Sequence, residues 1–360
     1  MQITNCHTHI FTNKIVPDNF LIWPLQMLAN IFTQDSSANF LLASTRKFKD
    51  VHYLLYKYIT FAKTGSKASQ EEVFNHLQKF YPEGTKFVVL SMDMEFMKAG
   101  SVKMKFEEQL NELADLKKKY KDIIHPFVFA HPERSGITDL VKKYIEVHNF
   151  SGIKLYPPLG YFPFDDRLNG VYEFVEKNNI PLISHCTRGG VFYKGKITDK
   201  MRRHPKTGIV NTEKYKSKFT DFYTDPQNYE YVFEKFPNLK LCLAHFGGDT
   251  EWNKYLDGSW DLTNENDWFF TIRNMMVKYP SLYTDISYTH SYPRFLPLLK
   301  VTLQTNPELA KRILFGTDFY MTEQEGSERD HSIRLRGFLG EELFALIAEK
   351  NPQTFLSKTL

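Results

Sequence analysis

The sequence predicts an α/β fold: a (β/α)8 TIM barrel formed by residues 1–360 as one domain, with a helical insertion after strand 1 and a long loop insertion after strand 5. Three observations lead there. Eight short apolar or β-branched runs recur along the chain, amphipathic helical segments separate several of them, and histidines or an aspartate stand where several runs end. Alternating strands and helices require a parallel sheet, and eight such units close it into a barrel.

In order, the predicted strands are Ile3 to Phe11, Lys86 to Asp93, Ile123 to His131, Gly152 to Tyr156, Pro181 to Cys186, Leu239 to His245, Leu282 to Tyr288 and Arg312 to Asp318. Helical periodicity marks Phe106 to Tyr120, Leu168 to Lys177 and Tyr229 to Lys235. Residues 12–84 are too long for an ordinary connection and contain the patterns FLIWPLQMLANIF and VHYLLYKYITFA, so they read as a helical insertion beside the strand C-terminal ends. Residues 187–225 form a second excursion, with ten Lys or Arg against four Asp or Glu. The sequence shows no internal repeat or low-complexity segment.

Composition narrows the function. Hydrophobic residues make up 42%, charged residues 24% and aromatics 15%, which suits a large, aromatic-rich core. A formal charge of +4 over 360 residues is too dilute to point to nucleic acid or a membrane surface. The amino terminus lacks the pattern of a secretory leader and no segment is long and apolar enough to span a bilayer, so a cytoplasmic location is expected. Cys6, Cys186 and Cys242 are too few and scattered for a disulfide framework. Strand parity sends all three outward against helices.

Chemistry concentrates at the strand ends. In CHTHIF, residues two apart share a face of the strand, so His7 and His9 can offer two imidazoles to one ion. Alone, such a pair is more often an ordinary buried or surface feature. His185 in PLISHC, His245 in LCLAHFGGD and Asp318 in LFGTDFY change the balance by standing at the same level of the barrel. Four nitrogens and a carboxylate match the ligands of zinc and its borderline neighbours. Lys154 ends the fourth strand in GIKLYP, where a lysine without a partner is unusual.

These motifs, CHTHIF, GIKLYPPLGY, ISHC, LAHFGG and FGTD, span nearly the whole barrel and resemble the amidohydrolase superfamily. The chain looks closest to the amidohydrolase-related branch that includes the aminocarboxymuconate-semialdehyde decarboxylase-like proteins. By that resemblance, His7, His9, His185 and Asp318 are metal ligands, and His245 is a ligand or a catalytic histidine. If Lys154 is carboxylated, as in two-metal members, the site is binuclear, with His7 and His9 on one ion and His185 and His245 on the other. If not, one ion sits on His7, His9, His185 and Asp318, and Lys154 binds a substrate carboxylate. The two-metal form is favoured slightly, with zinc as the first expectation.

The leading functional expectation is a metal-dependent hydrolase using metal-activated water on an amide, cyclic amide, ester or lactone bond of a small, possibly anionic substrate, with Asp318 moving the proton. Its alternatives are a metal-dependent non-oxidative decarboxylase of a small carboxylic acid and a noncatalytic metal-binding barrel. Weaker substrate-contact candidates are Arg188, Tyr156, His131 and His290. For Arg188 a solvated loop charge, and for the two histidines a structural role, is the competing reading. A small molecule is the expected partner, and a homo-oligomer is compatible with the sequence.

Overall fold

The structure, a computed structural model, describes residues 1–20, 42–45, 47–258 and 267–358. Its centre is one eight-stranded sheet in the order β1 to β8, with each consecutive pair parallel. The strands are β1 Thr4–Thr8, β2 Lys86–Leu90, β3 Ile124–Phe129, β4 Gly152–Leu155, β5 Leu182–Ser184, β6 Leu241–Leu243, β7 Leu282–Asp285 and β8 Ile313–Leu314. All eight predicted runs contain a strand, and the chain is the expected (β/α)8 barrel. Most strands stop two to four residues before the predicted end, because the chain leaves the ladder to present side chains at the mouth.

Outside the sheet, helix Phe106–Tyr120 buries Phe106, Leu110, Leu113 and Ala114 at helical spacing, and Asn169–Lys177 buries Val171, Tyr172, Phe174 and Val175. The segment expected as one helix from Tyr229 divides into a 3-10 turn, Pro226–Tyr229, and the short helix Glu230–Phe233. The insertion after β1 contains helices Lys49–Gly65 and Gln70–Gln78. Ser69 caps the second, accepting the Glu72 N–H at 3.3 Å. Of the two patterns read as helical there, VHYLLYKYITFA lies in Lys49–Gly65, whereas FLIWPLQMLANIF beyond Phe20 lies outside the described residues. The insertion rests on the loop after β8: Thr64 donates to Glu323 at 2.9 Å, and Lys57 and Tyr53 both contact Glu325. The excursion after β5 forms three single-turn helices, Asp199–Arg202, Lys216–Phe219 and Asp221–Thr224.

Inside the barrel, Cys6, Val88, Leu90, Phe127, Ile183, Cys242, Ala244 and Leu314 pack together, and Phe355 lies against Tyr283 with ring centres 5.0 Å apart. Lys154, Ile183, Cys242 and Tyr283 are neighbours in register, so all four share the inner face. This corrects two cysteines. Cys6 and Cys242 face inward, and only Cys186 packs outward, with its thiol on the Thr224 carbonyl at 3.6 Å. Parity failed because the β1 register shifts between Asn5 and Thr8, and because His245 adopts φ 67° after β6 ends, which re-aims its side chain.

β8 approaches β1 closely at Gly316, where an added Cβ would stand 2.7 Å from the His7 Cβ and 3.1 Å from its backbone nitrogen. Gly316→Ala should therefore cost about 1–3 kcal/mol of stability through overpacking. Denaturant unfolding checks this, and a wild-type midpoint would show that the two strands separate freely at this point.

Candidate metal centre

Asp318, four residues beyond β8, brings its Oδ1 to 3.4 Å from His9 Nε2 and 3.7 Å from His7 Nε2. One donor atom from each of these three residues lies within 4.8 Å of the others, so together they could hold a metal ion. The opposite ring nitrogens are already committed. His9 Nδ1 donates to the Leu90 carbonyl at 3.0 Å, and His7 Nδ1 donates to Asp285 Oδ2 at 2.9 Å. A carbonyl can only accept, so the proton of His9 sits on Nδ1 and the Nε2 lone pair faces the cluster. Such outer bonds fix ring orientation and tautomer in metal sites.

Asp285 organises this side of the barrel. Besides His7, its Oδ1 accepts the backbone N–H groups of His245 and Ser287, each at 3.0 Å. Although burial opposes its charge, His7 and these bonds hold the carboxyl far below the ordinary carboxylate range. His245 donates from Nδ1 to the Ser287 carbonyl at 3.1 Å, which leaves its Nε2 to accept from His185 Nδ1 at 3.1 Å. The Nε2 of His185 is buried without a partner among the described residues. His185 thus stands beside His245 and outside the three-donor group, a different grouping from the four-ligand set expected for a single ion. A second combination of donors, His7, His245 and Asp285, is equally compact. There, however, Asp285 already accepts from His7, from the His245 and Ser287 N–H groups and from the Ser287 hydroxyl, and it orients its neighbours.

Burial lowers the pKa of all four imidazoles, with the His245 value pulled down to about 3, so in the absence of a cation they are neutral nitrogen donors. Burial drives Asp318 well above its usual value, opposed by the charge of Lys154. Lys154 is fully buried, its Nζ has no hydrogen-bond partner among the described residues, and burial pulls it down to about 8 against the attraction of Asp318 and Asp285. Buried, neutral, pre-oriented nitrogens converging on a carboxylate fit a divalent ion that takes nitrogen and oxygen ligands. His245 and Asp318 both hold left-handed backbone, φ 67° and 64°, the kind of strain that clusters at functional sites.

The weaker candidates separate. Tyr156 lines the centre, stacking on His185 at 4.3 Å while its hydroxyl accepts the Val191 N–H at 3.0 Å. Gly190 closes over both rings, since a Cβ there would meet the Tyr156 hydroxyl at 2.7 Å and His185 Nε2 at 3.2 Å. Arg188 is tied to the buried Glu251 at 2.8 Å and lies 4.2 Å over the Trp268 ring. With Trp268, Lys218 and Asp221 it lines a cavity of about 670 Å³ that none of the four histidines lines. His131 stacks on Phe96 at 3.8 Å and accepts the Glu133 N–H, and His290 bonds its Nδ1 to the Ile286 carbonyl. Sequence reasoning passed over Asp285 and Ser287. The available signal was an aspartate ending strand 7 in LYTDIS, the same cue that marked Asp318.

Comparison with known proteins now places the chain. No curated protein matches it. Among the solved structures that share its fold are 5-carboxyvanillate decarboxylase from Sphingomonas paucimobilis (11% identity, 99% of this chain and 98% of that one, TM-score 0.55), and a 5-carboxyvanillate decarboxylase from Novosphingobium aromaticivorans complexed with manganese and 4-hydroxy-3-methoxy-5-nitrobenzoic acid (11%, 99% and 96%, 0.57). Another is an uncharacterized TIM-barrel protein from Bordetella bronchiseptica (18%, 99% and 98%, 0.54). At these identities the likeness is one of fold. The family profile described as Amidohydrolase matches residues 6–358, and the chain therefore belongs to the amidohydrolase family.

Proposed function

We propose that the protein is a metal-dependent, non-oxidative decarboxylase of a small, preferably aromatic, carboxylic acid. The observation that carries the reading is a three-donor group, His7, His9 and Asp318, with a buried Lys154 amine that has no hydrogen-bond partner among the described residues and feels the charges of Asp318 and Asp285. An amine in that position is suited to pair with a substrate carboxylate. Among the fold relatives are decarboxylases of an aromatic acid, which supports the same choice. Hydrolysis, the leading expectation from the sequence, is favoured by a carboxylated Lys154 bridging two ions, one on His7 and His9 and the other on His185 and His245. His245 Nε2 lies 3.1 Å from His185 Nδ1, and the decarboxylases among the fold relatives make hydrolysis the second reading.

His7, His9 and Asp318 would hold a divalent ion, zinc or manganese, whose positive charge would bind substrate oxygens and steady negative charge on the reacting carbon. The chain's own residues do the rest. Lys154 meets the carboxylate, and the stacked Tyr156 and His185 rings, closed by Gly190, offer a flat wall to an aromatic ring. Of the two buried carboxyls at the centre, Asp285 is committed to His7, to the His245 and Ser287 N–H groups and to the Ser287 hydroxyl, whereas Asp318 has imidazole edges as its nearest side-chain partners among the described residues, so Asp318 carries the proton. As the C–C bond breaks, carbon dioxide leaves and the bond's electron pair takes that proton to form C–H.

Carbon dioxide release from hydroxylated and carboxylated benzoates should be measurable with purified enzyme, abolished by a chelator and restored by Mn²⁺ or Zn²⁺. Hydrolysis of lactones or amides with no release from any acid would sink the decarboxylase reading. Asp318→Asn should lower turnover by about 10²–10⁴-fold, the usual contribution of a positioned proton donor. Undiminished turnover in the metal-loaded variant would remove Asp318 from the chemistry. Lys154→Met should raise KM for acids far more than it lowers kcat, and steady-state kinetics separate the two. An unchanged KM would exclude the carboxylate contact.

A further inference from the structure

The sheet is irregular where β8 meets β1, and this is the seam that joins His7 to Asp318. β8 is a two-residue strand, Ile313–Leu314, and beyond it the backbone contacts are scattered: Cys6 N–H to the Phe315 carbonyl at 2.8 Å, then Thr317 and Asp318 N–H both to the His7 carbonyl, at 3.3 and 2.8 Å, and His9 N–H to the Phe319 carbonyl at 2.5 Å. Side chains make up the deficit. Asn5 Nδ2 donates to Thr317 Oγ1 at 2.8 Å and to the Tyr81 hydroxyl at 2.9 Å, while its Oδ1 accepts the N–H groups of Thr317 at 3.1 Å and His7 at 3.3 Å. Thr317 and Tyr81 pass their own protons to Glu328 Oε1, at 2.5 and 2.6 Å, and Thr322 donates to Glu328 Oε2 at 3.1 Å.

All of these groups are buried and every polar atom of the Asn5 amide is used. A closed network of this kind has essentially one arrangement, because each lost bond strands a partner away from water. Thr317 is its hub and adjoins Asp318, and Asn5 holds the His7 amide. Tyr81 comes from the end of the insertion and Glu328 opens helix Glu328–Leu339, so four separate segments meet here.

We propose that Asn5, Thr317, Tyr81 and Glu328 are positioning residues that set the spacing between the imidazoles of β1 and the carboxylate of β8, and thereby the metal affinity of the centre. This rests on reading His7, His9 and Asp318 as the metal-holding group. Removing the hub hydroxyl should loosen the donors without touching any of them. The effect should be of the size seen for outer groups of metal sites, about 10–100-fold in affinity.

The test is Mn²⁺ affinity, measured by chelator competition on the full chain with Mn²⁺ alone, alongside thermal unfolding with and without the ion. Thr317→Val should weaken binding by about tenfold or more, and Thr317→Ser should restore it to within about twofold of wild type. The control is Tyr172→Phe, which deletes a buried hydrogen bond to the Pro163 carbonyl on the outer side of the barrel and should lower stability while leaving affinity unchanged. If Thr317→Val fails to fold, Tyr81→Phe removes one peripheral donor of the network and should weaken binding in the same direction. Wild-type affinity in the folded Thr317→Val or Tyr81→Phe variant, with binding lost in His9→Ala, overturns the seam alone. Wild-type affinity in His9→Ala overturns the metal assignment and the seam with it.

Discussion

The hydrogen bond from His7 Nδ1 to the buried Asp285 carboxylate is the constraint on which the mouth of the barrel depends. A fully buried carboxylate is tolerable only with several donors, and Asp285 collects them from His7, from the His245 and Ser287 backbone and from the Ser287 hydroxyl. Each donor gains a fixed position in return. His7 is turned so that Nε2 faces Asp318, and the left-handed turn at His245 is held by its own N–H. The Ser287 carbonyl then orders the His245 ring, which in turn orders His185. One carboxylate on β7 thus orients side chains from β1, β5 and β6.

The barrel was readable from the sequence because each strand, buried on both faces, is written as a short apolar run, and the order of eight runs leaves little freedom in topology. The level of His7, His9, His185, His245 and Asp318 was readable for the same reason, since each follows its run closely. Side-chain direction was less accessible. Counting by twos assumes a regular strand, and the site begins where regularity ends, at the shifted register of β1 and the left-handed residues His245 and Asp318. Cys6 and Cys242 were misplaced on that account. Asp285 looked like the end of a strand before a turn, and the Asn5, Thr317 and Glu328 network joins residues more than three hundred positions apart, which no local pattern encodes.

The two excursions take different parts. The insertion after β1 is coupled to the loop after β8 through Glu323, Glu325 and Glu328, so it braces the strand that presents Asp318. The excursion after β5 supplies Gly190 over His185 and Tyr156, but its first arginine is held away by Glu251 and Trp268. Its basic character is therefore a weak guide to what the centre binds. Polarity at the reacting end comes from the barrel itself, from Lys154 on β4.

On the proposed reading, charge within the cluster suits Lys154 to a monocarboxylate. The four imidazoles are neutral and Asp318 carries its proton, so Asp285 and the Lys154 ammonium balance in a region from which water is largely excluded. A divalent ion would leave two positive charges there, which a low-dielectric interior resists. A substrate carrying a single carboxylate would offset one of them, whereas a neutral amide or lactone would not. Once carbon dioxide has departed and the proton has passed to carbon, Asp318 is left ionised beside the cation, and a neutral product has lost the group that held it. Binding and release would then follow from one quantity, the net charge buried behind Tyr156 and His185.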